Sequence, residues 1–96
     1  MAASLDGFTL RALDAAIGPL VASFAAWGVL GACWRLDDAG RVVVWLRAST
    51  EIERVSLQAQ PFIMAQTQVI LIRLGAAHEV VKNLRLEMFS DEGRSG

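Results

Sequence analysis

Cysteine is nearly absent. The one thiol, Cys33, excludes an internal disulfide, and no cysteine or histidine spacing of the kind that holds zinc occurs. Histidine is equally scarce, and His78 stands beside no motif that would make it a catalytic base. Charged residues form only 20% of the 96 residues and balance to a net charge of −1. That balance lacks the excess of positive charge that marks a nucleic-acid binder. No glycine-rich phosphate loop is present, so no cofactor, metal or catalytic residue is expected. No basic segment precedes the first apolar stretch, so a cleaved signal peptide is not expected and a cytoplasmic location is.

What the chain does have is apolar residues, 54% of the total, more than is usual for a soluble domain of one core. Much of its surface is therefore expected to be buried against a partner. Two stretches carry no charge, Ala15 to Trp34 and Val55 to Ile72. The first is interrupted by Gly18-Pro19 and ends in strand-like alternation. The second holds Ser56, Gln58, Gln60, Pro61, Gln66 and Gln68, which hydrocarbon disfavours, so a membrane span is not the expected reading of either. One domain is expected over residues 1–89, with residues 90–96 a polar, disordered tail.

The organising stretch is Trp27 to Ser49, read as a long antiparallel hairpin. Asp37, Asp38 and Ala39 suit a type I turn, and Gly40 supplies the positive φ that closes a three-residue loop. This loop sets Leu36 opposite Val42, Trp34 opposite Val44, Ala32 opposite Leu46 and Leu30 opposite Ala48. That face is wholly apolar. Because side chains alternate, the other face carries Val29, Gly31, Cys33 and Arg35 against Val43, Trp45 and Arg47, with Arg41 at the turn.

Around the hairpin, apolar residues recur at helical spacing from Phe8: Leu10, Leu13, Ile17, Leu20 or Val21, and Phe24. Asp6 is the expected cap, and Pro19 predicts a kink or a break. Thr50-Glu51-Ile52-Glu53 spells a capping box, so a second helix is expected with Ile52, Val55, Ala59, Phe62, Ile63, Ile70 and Leu74 inward, and with Pro61 threatening its interior. A rival reading makes two strands of residues 54–74, giving α-β-β-β-β-α. Val80 to Phe89 fits either a third strand or a helix face, and the strand is preferred. The expected fold is α+β, a two-layer α-β-β-α-β sandwich with helices on one face of a small sheet.

Gly28-Val29-Leu30-Gly31-Ala32, then Asp37 or Asp38, then Gly40-Arg41-Val42-Val43, resembles the opening of roadblock/LC7 domains, over Leu13 to Val44. The resemblance implies a homodimeric, non-catalytic fold whose partners include small Ras-like GTPases and motor subunits.

Other candidate chemistry has plainer explanations. Cys33 lies mid-strand, where a thiol is ordinarily inert, although Arg35 and Arg47 could supply the basic neighbour that a nucleophilic thiol needs. The carboxylate pairs Asp37/Asp38, Glu51/Glu53 and Asp91/Glu92 fall at a turn, a helix start and the tail, where capping and solubility account for them. Gly28 to Gly31 spells GxxG, but is filled with valine and leucine and leads into a strand rather than between two helices.

There remains the second face of the hairpin, with Val29, Cys33, Val43 and Trp45 ringed by Arg35, Arg41 and Arg47. An apolar patch with a charged rim that includes tryptophan and arginine has the form of a protein-binding surface. The leading expectation is a self-associating adaptor or regulatory protein that binds a protein partner there, self-association using this face or the second helix. Two alternatives stand beside it: a single-strand nucleic-acid binder using Trp45 and the arginines, and a ligand-binding or enzymatic domain built at a dimer seam.

Overall fold

The hairpin turn forms as its residues dictate. In the computed structural model, which describes residues 6–92, Gly40 has φ of 82°. The Gly40 N–H donates to the Asp37 carbonyl, and the Asp37 N–H donates to the Arg41 carbonyl, each at 2.9 Å. The Asp37 carboxylate braces the loop by accepting from the backbone of Ala39 and Arg41. These last bonds hold its pKa below the usual carboxylate range, the Arg41 amide contributing most.

From this turn run β1 (Val29–Leu36) and β2 (Val42–Ala48), paired antiparallel with Leu36 opposite Val42, Trp34 opposite Val44 and Ala32 opposite Leu46, as expected. The last expected pair is corrected. Ala48 faces Val29 rather than Leu30, because a bulge shifts the register between Val29 and Gly31. The extra residue turns Val29 into the core and leaves Leu30 exposed.

The first helix, α1 (Gly7–Phe24), starts at Asp6, whose carboxylate accepts from the Thr9 N–H at 2.6 Å. Pro19 does not break it. Ala15, Gly18 and Pro19 all lie on the exposed side, where the carbonyl left without a partner can bond to water and small neighbours leave room for the ring. The buried stripe is Thr9, Ala12, Leu13, Ala16, Leu20 and Phe24. Leu10 is therefore exposed, not inward, and Ile17 is only half-buried. By length and composition alone, Gly7–Trp27 could cross a membrane; here the stripe packs against β1 and α3. A 3-10 turn, Ala25–Trp27, then leads through Gly28 at φ 96° into β1.

After β2 the chain is helical. Thr50 caps α2 (Glu51–Gln58) by accepting from the Glu53 N–H at 3.2 Å, and the Glu53 carboxylate reaches back to the hydroxyls of Ser49 and Thr50. The two-strand reading of residues 54–74 is thus excluded. Around Pro61 the helix breaks, and α3 (Phe62–Arg73) follows, then α4 (His78–Lys82) and β3 (Arg85–Ser90). The break gives each segment its own phase. Leu57, Ile63, Thr67, Ile70 and Leu71 are buried, while Ile52 and Val55, expected inside, are 79% and 54% exposed. The ambiguous segment after Gly75 proves to be both a helix and a strand.

β3 pairs parallel with β2, so the sheet order is β1-β2-β3 with β2 central. A parallel neighbour demands a crossover, and α2, α3 and α4 supply it. The core is one layer of side chains between the helices and the face of the sheet bearing Val42, Val44, Leu46 and Ala48. Two buried polar groups tie it together. Thr9 Oγ1 accepts from the Ala77 N–H at 3.1 Å, and the Thr67 hydroxyl donates to the Ile63 carbonyl at 2.8 Å.

The expected tail is corrected in part. Ser90 is buried and its hydroxyl donates to Glu51. The Asp91 N–H donates to the Ala48 carbonyl, and the Glu92 carboxylate accepts from the Glu51 N–H at 2.7 Å. The other tail positions, 93–96, lie outside the described residues.

Candidate interaction face

Strand parity decides which side chains share the face turned away from the helices. β1 contributes Gly31, Cys33 and Arg35; β2 contributes Val43, Trp45 and Arg47; β3 contributes Arg85, Glu87 and Phe89. Trp34 and Trp45 point to opposite sides. Trp34 packs against the core and its indole N–H donates to Asp14 at 2.9 Å, whereas Trp45 meets Phe89 on the open side, ring centroids 6.1 Å apart and edge-on. That edge-to-face arrangement suits the aromatic quadrupole.

The ring pair forms one wall of a shallow depression of about 190 Å³, whose floor is set by Gly31 and Cys33 and whose end is Arg47. It continues past Cys33 and Trp45 to Arg35. The Arg47 guanidinium extends over Gly31, its Nε 3.5 Å from where a Cβ would lie, an ordinary contact distance.

Charge on this face is partly neutralised. Arg47 lies 3.5 Å from Asp91, Arg85 pairs with Glu87 at 2.8 Å and with Asp37 at 3.6 Å, and Arg41 pairs with Asp37 at 3.3 Å. Arg35 makes no ion pair among the described residues. The arginines of these pairs are exposed, so each pair contributes little to stability. Their effect is on position: Arg47 is held at one end of the depression, and Arg35 stands unneutralised at the other.

Of the residues singled out from sequence, Cys33, Arg35, Trp45 and Arg47 come together around this depression. Val29 does not: the bulge places it in the core, 3% exposed. Val43 is on the correct face but only 4% exposed, flanked in register by Arg35 and Arg85, so it offers a partner almost no surface. Arg41 stays at the turn with Asp37 and does not line the depression. Phe89, Arg85 and Glu87 were missed. The alternation of Leu84, Leu86 and Met88 carried the signal, since the residues between them must face the other way. His78 is exposed at the start of α4.

A second apolar surface lies in the helical layer. Ile52 and Val55 of α2 are exposed, and Trp27 and Phe62, 41% and 40% exposed, meet with ring centroids 5.2 Å apart and planes tilted by 59°.

Compared with protein-family models, with curated proteins and with solved structures, the chain matches none of them.

Proposed function

We propose that this protein is a non-catalytic, self-associating adaptor that binds a partner protein through the open face of its sheet. The observation that carries this reading is that every helix packs on one side of the sheet, leaving the half-buried Trp45 and Phe89 and the exposed Cys33 on the open side between Arg35 and Arg47. A sheet face left to water is ordinarily polar. One with a central aromatic pair and an arginine rim has the composition of a binding hot spot. Self-association is assigned to the other layer, where Ile52, Val55, Trp27 and Phe62 are exposed. Separate surfaces let one chain hold a second copy and a partner together.

Sedimentation velocity tests the self-association. The wild type is expected to sediment above the monomer mass, Val55→Glu as a folded monomer, and Trp45→Glu like the wild type. A monomeric wild type at tens of micromolar, the range of weak association, would remove self-association from the reading.

A second reading is favoured by the Trp45–Phe89 pair itself. Two aromatic rings on an open sheet among arginines can stack the bases of single-stranded nucleic acid. It requires salt-sensitive binding of a labelled oligonucleotide that is lost in Trp45→Ala. The ion pairs of Arg47 and Arg85 weigh against it, since they leave little net positive charge for a phosphate backbone.

A further inference from the structure

β1 is the outer strand of the sheet, and among the described residues no strand pairs with its free edge. Asp37 bonds to Arg41 across the hairpin. Alternation in an antiparallel pair then turns the backbone groups of Arg35, Cys33 and Gly31 toward β2, and those of Leu36, Trp34 and Ala32 outward. Edge strands are commonly blunted by proline, lysine or inward-pointing charge. β1 has no proline, its bulge sits at one end, and its single charge, Arg35, is on the open face.

We infer that this edge and the depression beside it together take an extended, acidic segment of a partner protein, which adds a fourth strand to the sheet. The inference rests on the open-face reading above and names the partner's chemistry. A strand added antiparallel to β1 sets one residue opposite Arg35, one opposite Cys33 and one opposite Gly31, all on the open face. Carboxylates suit both outer positions: Arg35 makes no ion pair among the described residues, and Arg47, which gives Nη1 to Asp91, turns Nε and Nη2 over Gly31, where they are placed to meet a second carboxylate. At the middle position Cys33 is small, so an aromatic side chain opposite it can lean across onto Trp45 and Phe89. The two intervening residues face Trp34 and Ala32, which are half-buried and apolar, so apolar side chains fit there.

Charge also argues against a second copy of β1 in this place. β1 holds no acidic residue, so its copy would bring another Arg35 to a face already bearing Arg35 and Arg47. The segment this edge selects reads acid, apolar, aromatic, apolar, acid.

The probe is a fluorescein-labelled peptide containing Glu-Val-Phe-Val-Glu, compared with Lys-Val-Phe-Val-Lys by anisotropy on the full chain. The acidic peptide is expected to bind roughly tenfold more tightly, and Arg35→Glu to reverse the preference. Methylating the two valine amide nitrogens, which donate to the edge, is expected to abolish binding, whereas methylating the phenylalanine nitrogen, which faces away, is not. No binding of the acidic peptide, or equal binding of both peptides, overturns the inference. So does mild oxidation that rapidly yields a Cys33-linked dimer, the product of two β1 strands paired about that residue. If binding needs Trp45 but tolerates methylated valines, edge pairing is wrong while the open-face reading stands.

Discussion

Gly28 and Glu53 touch so closely that a side chain on the first must displace the second: a Cβ at Gly28 would lie 2.6 Å from the Glu53 carboxylate and 3.0 Å from its Cγ. Gly28 is where the chain turns from α1 into β1, at φ 96°, and Glu53 is the residue that reaches back to Ser49 and Thr50 at the start of α2. The entrance to the hairpin and the exit from it are therefore locked through one contact.

Gly28→Ala is expected to destabilise the fold by about 2 kcal/mol, combining the cost of a left-handed backbone for alanine with displacement of a capping side chain. Urea denaturation measures it.

Thr9 joins two parts of the chain far apart in sequence. Thr9→Val keeps the shape but leaves the Ala77 N–H without its acceptor, and is expected to cost about 1–3 kcal/mol. Chemical denaturation should show it, with amide exchange accelerated first at Ala77 and in α4.

Acid should loosen the C-terminal end of the sheet. The Arg54 guanidinium and then the Ser90 hydroxyl hold the Glu51 pKa down, to about 2. A carboxylate with a depressed pKa contributes stability that is complete above its ordinary value near 4.5 and is lost as pH falls toward 2. Glu51→Gln is therefore expected to be less stable than wild type at neutral pH, with the difference closing through that window. Urea midpoints across the range check the sign. A difference that widens in acid contradicts it.

How far this was legible depended on whether the signal was local. The hairpin loop was, because Asp37 and Gly40 can close it in few other ways, and most of the register followed. The box at Thr50 and Glu53 identified a helix despite strand-like alternation after Arg54, because it names specific bonds rather than a propensity. The bulge at Leu30 has no residue signature here, and with it went the placement of Val29. Ile52 and Val55 were misplaced because one stripe was drawn through a segment that Pro61 divides. Pro19 does not break α1, because the damage a proline does depends on which side of the helix faces water, and tertiary packing decides that. Phe89 was available from strand parity once a strand was accepted there.

The lone cysteine offers the most direct test of the open face. Cys33 is exposed, lines the depression and is the chain's only thiol. Labelled there with a benzophenone and irradiated in an extract of its source cells, the wild type is expected to form a discrete adduct with another protein, and Trp45→Glu to form none while remaining folded. An adduct unchanged by Trp45→Glu, or no protein adduct at all, would contradict the assignment of this face as the place where the protein meets its partner.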